Sequence, residues 1–361
     1  MGHISKYKNV LIARFSALGD VAMTVSVVYS VCAAYPGTRF VMITQPVASS
    51  LFINAPSNLT VIGVDVKEEY HGVWGMCKLF RRLRHDYSID LFVDLHDVIR
   101  THAITACCIL TGVPFRRIRK GRGEKRKLTR TVGKDLHRLV SSHERYADVF
   151  RRAGFCFPES FVSLFPEPVG QDVFSEVTAP KQAGDVWIAV APFAKHQGKI
   201  YPVGKMAEVV ERLAGRKGVK VFLFGGGGKE RELLHEWAYR HDNIVSMAER
   251  RYGFPLELAL LSYMDVMLSM DSANMHLASL VCLPVVSVWG ATHPYCGFTG
   301  WKQRQEDIVQ ADLPCRPCSV FGNRPCMRGD YACFSAITPD MILEKIDSVI
   351  LRNKSVVKEN E

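Results

Sequence analysis

Short apolar runs alternate with longer stretches of helical period along nearly the whole chain. In the first half the runs are Val10–Phe15 (VLIARF), Arg39–Thr44 (RFVMIT), Thr60–Val64 and Ile89–Leu95 (IDLFVDL). Helical patterns separate them: Val21 to about Ala34, stopped by Tyr35-Pro36-Gly37, then Met76–Leu83 and Thr101–Leu110. Strands that are apolar throughout and alternate with helices predict βαβ units around a buried parallel sheet. From Pro158 to Gly184 the periodicity fades and Pro, Gly, Ser and Asp accumulate, the pattern of an interdomain linker.

The alternation then restarts. Strands are predicted at Val186–Val190, Val219–Phe224, Asn243–Ser246, Asp265–Ser269 and, last, Pro284–Trp289. Helices are predicted at Val203–Ala214, Lys229–Tyr239, Pro255–Tyr263 and Ala273–Val281, with a final amphipathic helix from Thr338-Pro339 to about Leu351 and a frayed tail. The organisation that follows is an N-terminal domain over 1–165, a linker over 166–184, a second domain over 185–337, and a C-terminal helix and tail over 338–361. Two doubly wound α/β halves imply ligands at the carboxyl ends of the strands, in a cleft between facing sheets.

The composition changes this picture little. At 361 residues, 48% hydrophobic and 23% charged, the chain is that of a globular protein with two cores rather than a disordered one. It has no apolar run of the roughly 18–20 residues that span a bilayer, and the polar MGHISKYKNV start does not read as a signal peptide. A cytoplasmic location is expected.

The charge is more informative. The net +10 is concentrated in Arg116, Arg117, Arg119, Lys120, Arg122, Lys125, Arg126, Lys127, Arg130 and Lys134, opposed there only by Glu124. Such a run repels itself unless it is a solvated loop or meets an anion. Its density and lack of acidic balance favour an anionic partner. Aromatic residues do not interleave it, which argues against nucleic acid.

Candidate chemistry sits just after strands. In Ser16-Ala17-Leu18-Gly19-Asp20, Asp20 is either a helix cap or a general base within reach of an acceptor hydroxyl. Lys195 and Lys199, between a strand and a helix, are either surface lysines or point charges for a diphosphate. The run Gly225–Gly228 offers bare amides at a helix start, with Glu230 placed for a ribose hydroxyl or for the helix dipole. Asp271 and Ser272 stand where a strand gives way to a helix, and His276 lies on the side of the first turn that they share. Cys315, Cys318, Cys326 and Cys333, spaced C-x2-C-x7-C-x6-C, are structural cysteines, redox thiols or a four-thiolate structural zinc site.

Together these motifs resemble the heptosyltransferases, the ADP-heptose:lipopolysaccharide transferases of glycosyltransferase family 9. The turn through Asp20-Val21, Asp94-Leu95-His96, Lys199-Ile200-Tyr201-Pro202, and Asp271-Ser272-Ala273 with His276-Leu277-Ala278 are similar, in this order, to the family's signature elements. The Cys-rich segment leading into Ile337-Thr338-Pro339 is similar to that of some members. The resemblance implies a GT-B fold, two facing Rossmann-like parallel-sheet domains, with the donor in the second. It implies Asp20 as general base and Lys199 as the charge that meets the departing diphosphate. Asp271, Ser272 and the Ala273 amide would hold donor groups, His276 would support them, and Ala194, Lys195 and Glu230 would line the donor site. Ala273 stands for the usual glycine, Tyr201 for the usual tryptophan, and Ala194-Lys195 for paired hydroxyl residues.

The expected reaction is inverting transfer of a heptose, or a related sugar, from ADP-heptose to a lipopolysaccharide inner-core acceptor. No catalytic cofactor is expected, because an Asp-x-Asp cation motif is lacking. Arg116, Arg117, Arg119, Lys120 and Arg122 would bind the anionic glycolipid, at the inner face of the bacterial inner membrane. Transfer from another nucleotide sugar, and non-catalytic anion binding on the same fold, stay open.

Overall fold

The computed structural model describes residues 4–359, with the side chains of 356–359 left aside. The chain divides into two compact units. Unit 1 comprises residues 1–121 and 140–164, and unit 2 comprises 122–139 and 165–361.

Unit 1 is built on five parallel strands: β1 (Asn9–Ala13), β2 (Arg39–Thr44), β3 (Leu59–Gly63), β4 (Leu91–Asp94) and β5 (Phe115–Arg117), in the order β3-β2-β1-β4-β5. β1 is central, with Leu11 opposite Val41 on one side and Phe92 on the other. The helix Leu18–Ala34 after it is buried almost all round, so its hydroxyls find partners inside the protein, two of them on its own turns. Ser30 Oγ donates to Ser26 O at 2.7 Å, and Thr24 Oγ1 to Val21 O at 2.7 Å. The helices Gly72–Tyr87 and Ile99–Leu110 cover one face of this sheet, burying Met76, Leu79, Phe80, Leu83, Ile104 and Cys108 against Leu11, Val41 and Phe92.

Unit 2 carries six parallel strands: β6 (Val186–Ala191), β7 (Val219–Leu223), β8 (Ile244–Ser246), β9 (Val266–Met270), β10 (Val285–Trp289) and β11 (Ile308–Gln310). Their order is β11-β10-β9-β6-β7-β8. In both sheets the strand order reverses beside the first strand, at β1/β4 and at β6/β9, the switch points where ligands of open α/β sheets bind.

Four expectations change. The basic segment 122–139, assigned above to the first half, belongs to unit 2. Lys134 Nζ donates to the carbonyls of Pro314, Cys315 and Pro317 at 3.2, 2.7 and 3.3 Å. Leu128 and Leu139 share a small core with Cys296. The stretch 166–184 is packed onto unit 2 rather than loose: Phe174 is fully buried against Trp187 and Tyr263, and Lys181 pairs with Asp265 at 2.7 Å. The last helix, Pro339–Glu359, runs past Leu351 and is part of unit 2, seating Ile342, Leu343, Ile346 and Val349 in its core. A further strand, β11, follows the one expected to be last. Among the described residues no helix is long and apolar enough to cross a membrane.

Candidate active site

At the carboxyl end of β1 the chain turns through Ser16–Asp20 into the helix Leu18–Ala34. Asp20 caps its own helix start, accepting from the Ala17 amide at 3.2 Å, and the same Oδ2 meets Arg14 Nη2 at 2.6 Å. Arg14 is itself buried, donates to Leu95 O at 2.9 Å, and lies over the ring of buried Tyr146. Asp20 therefore fills the capping role, and the buried Arg14 guanidinium holds its partly exposed carboxylate at the sheet edge.

The neighbouring β4 edge is organised by Asp94, which is fully buried. Its Oδ1 accepts from the amides of His96 and Asp97 at 2.9 and 2.8 Å, and its Oδ2 from Arg117 Nε at 3.1 Å. His96 Nδ1 accepts from the Phe15 amide at 3.3 Å, which places the ring proton on Nε2. Burial, then the positive charges of Arg14 and Lys120, push the His96 pKa down to about 3, so the ring is a neutral imidazole at physiological pH.

In unit 2 the loop after β6 delivers Lys199 from a single 3-10 turn, Gln197–Lys199. Its Nζ pairs with Asp271 Oδ2 at 2.8 Å, with the two side chains only 14% and 4% exposed. Thr292 Oγ1 donates to the same oxygen at 2.8 Å, and Ser272 Oγ lies 3.3 Å from Ser269 Oγ. Asp271 and Ser272 follow β9, Ala273 opens the helix Ala273–Leu280, and His276 is buried in its first turn. A lysine, a carboxylate, a serine and open helix amides thus converge at the β6/β9 switch point, as an anion held at a helix N-terminus requires.

The Cys-rich segment walls this site. The Gly198 amide donates to Gly322 O at 3.3 Å, the Ala291 amide to Gly198 O at 2.9 Å, and the Cys318 amide to Ala291 O at 2.9 Å. Arg316 is buried and donates to the backbone oxygens of Gly290, Trp289, Thr292 and Ala311 and to Gln310 Oε1, clamping the end of β10. The four cysteines lie within electrostatic reach of one another, with burial and then neighbouring thiols raising the Cys318 pKa. All are free thiols, Cys318 Sγ donates to Cys315 O at 3.2 Å, and Cys333 is drawn into the hydrophobic core. Among the described residues no three His, Cys, Asp or Glu side chains are gathered as a metal ion needs.

Other expected residues lie apart from the Lys199–Asp271 pair. Glu230 Oε2 closes the glycine run by accepting from the Gly226 amide at 2.8 Å. Lys195 is exposed and Ala194 half-buried. Tyr201, which replaces a tryptophan, is fully buried and donates to Ile337 O at 2.8 Å, so that exchange is a matter of core packing. Of the basic run, Arg116 donates to Arg152 O and Arg117 to Asp94 and Thr105, both serving the fold of unit 1. Lys120 donates to Asp97 O, while Arg119 and Arg122 are exposed. Sequence reasoning missed Arg14 and Thr292. A charge inside the otherwise apolar run Val10–Phe15 was the one signal for Arg14.

Known proteins match along the whole chain. Lipopolysaccharide heptosyltransferase 1 of Pseudomonas aeruginosa is 22% identical over 360 residues, 95% of this chain and 98% of the relative. The glycosyl transferase family 9 structure from Veillonella parvula superposes with a TM-score of 0.74 at 16% identity, covering 98% of this chain and all of that one. The E. coli ADP-heptose lipopolysaccharide heptosyltransferase II gives 0.68 at 19% identity, over 96% of this chain and 99% of that one. Both share the GT-B arrangement of two parallel-sheet α/β domains. The glycosyltransferase family 9 (heptosyltransferase) model matches residues 76–325, more than half of the chain and including Lys199, Asp271 and His276. With the fold, the ordered motifs and this match in agreement, the chain belongs to glycosyltransferase family 9, the heptosyltransferases.

Proposed function

We propose that the protein moves a heptose from ADP-heptose to an anionic, lipid-linked lipopolysaccharide inner-core acceptor, with inversion and without a catalytic metal. The observation that carries this reading is the buried Lys199–Asp271 pair at the β6/β9 switch point, flanked by Ser272 and the first amides of the helix Ala273–Leu280. A cation there, already aligned by a carboxylate, meets a leaving diphosphate as charge develops. The relatives, lipopolysaccharide heptosyltransferase 1 and ADP-heptose lipopolysaccharide heptosyltransferase II, support by name the donor and the acceptor class.

In this mechanism Asp20, held by Arg14, accepts the proton of the acceptor hydroxyl as its oxygen attacks the anomeric carbon. The bond to the diphosphate oxygen breaks on the opposite side, and inversion follows from the in-line geometry. Lys199 and the helix amides stabilise the departing ADP, the task a divalent cation would otherwise perform. Asp271 fixes the Lys199 ammonium and Thr292 fixes Asp271.

A thermal-shift screen of nucleotides and nucleotide sugars tests the donor site. ADP and ADP-heptose are expected to raise Tm in the wild type and to lose that increment in Lys199→Ala and Asp271→Ala, each read against its own ligand-free baseline. A response to a different nucleotide alone sinks the ADP-heptose assignment, and equal increments in the variants sink the site.

A further inference from the structure

The two helices that cover one face of the unit 1 sheet, Gly72–Tyr87 and Ile99–Leu110, turn apolar side chains inward, yet their outer side carries large apolar side chains among its charges. Val73, Trp74, Ile99, Ile109 and Leu110 are exposed by 51, 87, 77, 66 and 85%. Large apolar side chains clustered on one two-helix layer mark an interaction surface, whereas scattered single ones do not. Between the helices a cavity of about 480 Å³ opens outward, floored by Cys77, Phe80, Cys107 and Leu110 and rimmed by Arg81 and Arg84.

The charges on this layer are as telling as the apolar groups. Among the described residues no carboxylate lies within 4.0 Å of Lys78, Arg81, Arg84 or Arg100, although Arg82 on the same helix pairs with Glu69 and Asp86. Arg84 makes one long bond, 3.4 Å to Thr111 O, from the last turn of its helix. Unneutralised guanidinium groups around an apolar-floored cavity, beside an exposed tryptophan, complement a surface with phosphate outside and hydrocarbon beneath. A soluble acidic partner would account for the arginines but not for five exposed apolar side chains.

We propose that the outer side of this helix pair is the surface by which the protein docks on a membrane of anionic phospholipids. Trp74, Ile99 and Leu110 enter the headgroup layer, and Arg81 and Arg84 take a lipid phosphate at the cavity rim. This moves the membrane contact from the basic stretch 116–134 to the outer side of a helix pair in unit 1. It also stands apart from the transferase reading, since docking needs neither donor nor acceptor.

The tryptophans make the test specific. The described residues include all five, and the other four (Trp187, Trp237, Trp289 and Trp301) are buried. Titrating the full chain with phosphatidylglycerol–phosphatidylcholine vesicles should shift tryptophan emission to the blue, in step with co-sedimentation. Trp74→Phe should abolish the shift. Arg81→Glu with Arg84→Glu should raise the half-saturating lipid concentration about thirtyfold or more, from about a kilocalorie per basic residue. The proposal falls if the wild type does not pellet, if the shift persists in Trp74→Phe, or if the arginine variant binds equally well. A blue shift produced by protein concentration alone would also overturn it, in favour of a second copy covering the face.

Discussion

Lys199 and Asp271 form a 2.8 Å ion pair in a place nearly closed to water, with Thr292 bonded to the same carboxylate oxygen. Removing one member of such a pair leaves the other buried and uncompensated. Lys199→Ala is therefore expected to cost about 3 kcal/mol of stability, read by urea denaturation. Lys199→Met combined with Asp271→Asn should recover most of that loss, because neither neutral side chain needs a counter-charge and the introduced amide oxygen can still accept from Thr292. Neither variant should bind a nucleoside diphosphate well. If the single and double variants are equally unstable, the pair is not what holds this corner together. On the acceptor side, replacing Asp20 with Asn should keep the bond to Arg14 while lowering kcat by about 10²–10⁴, the usual worth of a positioned base. Rates in single-turnover transfer to a glycolipid acceptor would decide that, and an unchanged kcat would remove Asp20 from the chemistry.

At the scale of elements, the site depends on one close backbone crossing. A Cβ on Gly198 would sit 2.8 Å from Gly322 O and 3.0 Å from Ala291 Cβ. Gly322, at φ +72°, in turn lies against the stem of Lys199, 2.7 Å from its Cγ once given a Cβ. Gly198→Ala must push the Cys-rich segment away from the lysine turn. A loss of about 1–3 kcal/mol is expected, as for other overpacked contacts, together with a weaker thermal response to ADP. A stability equal to wild type would mean that the segment yields freely.

The sequence made the two sheets legible because their central strands are apolar throughout, as in VLIARF and VWIAV, and helices alternate with them. Two of the short edge strands escaped notice: β5 is Phe-Arg-Arg and β11 Ile-Val-Gln, three residues each, with little apolar pattern to read, whereas β8, equally short, was predicted. The helix Ser142–Arg152 was missed although its capping signal was present, with Ser141 Oγ accepting from the Glu144 amide at 3.1 Å. Asp20, Lys199 and Asp271 could be found because each follows a strand. Their partners could not, since Thr292 reaches Asp271 across 21 positions and Arg316 clamps carbonyls up to 27 positions away.

For the whole molecule, buried His96 and half-buried His293 make stability depend on acid. His96 is pushed down to about 3, by burial and then by Arg14 and Lys120, and His293 to about 4, by burial and then by Arg316. Both remain neutral in the fold below the ordinary value of 6.5, where the unfolded chain takes up a proton at each. The stability they contribute is therefore complete above about pH 6.5 and is lost as the pH falls toward 4 and then 3. The slope is at most about 1.4 kcal/mol per pH unit for each histidine. Denaturation of the wild type and of a His96→Asn, His293→Asn variant between pH 7 and about 4.5 should show a shallower fall in the variant. Parallel curves would assign the acid sensitivity to other groups.

The chain leaves unit 1 after residue 121, returns at 140 and leaves again after 164. One consequence concerns how the protein can be taken apart. A single proteolytic nick near residue 165 does not yield two independent fragments, because the polypeptide still passes between the units at two other points. A fragment starting at 185 would lack the lysine that ties down 314–317 and the two leucines that cover Cys296. Dissection of the protein into autonomous halves would have to transplant 122–139 along with the second unit and close the gap from 121 to 140 by a short splice.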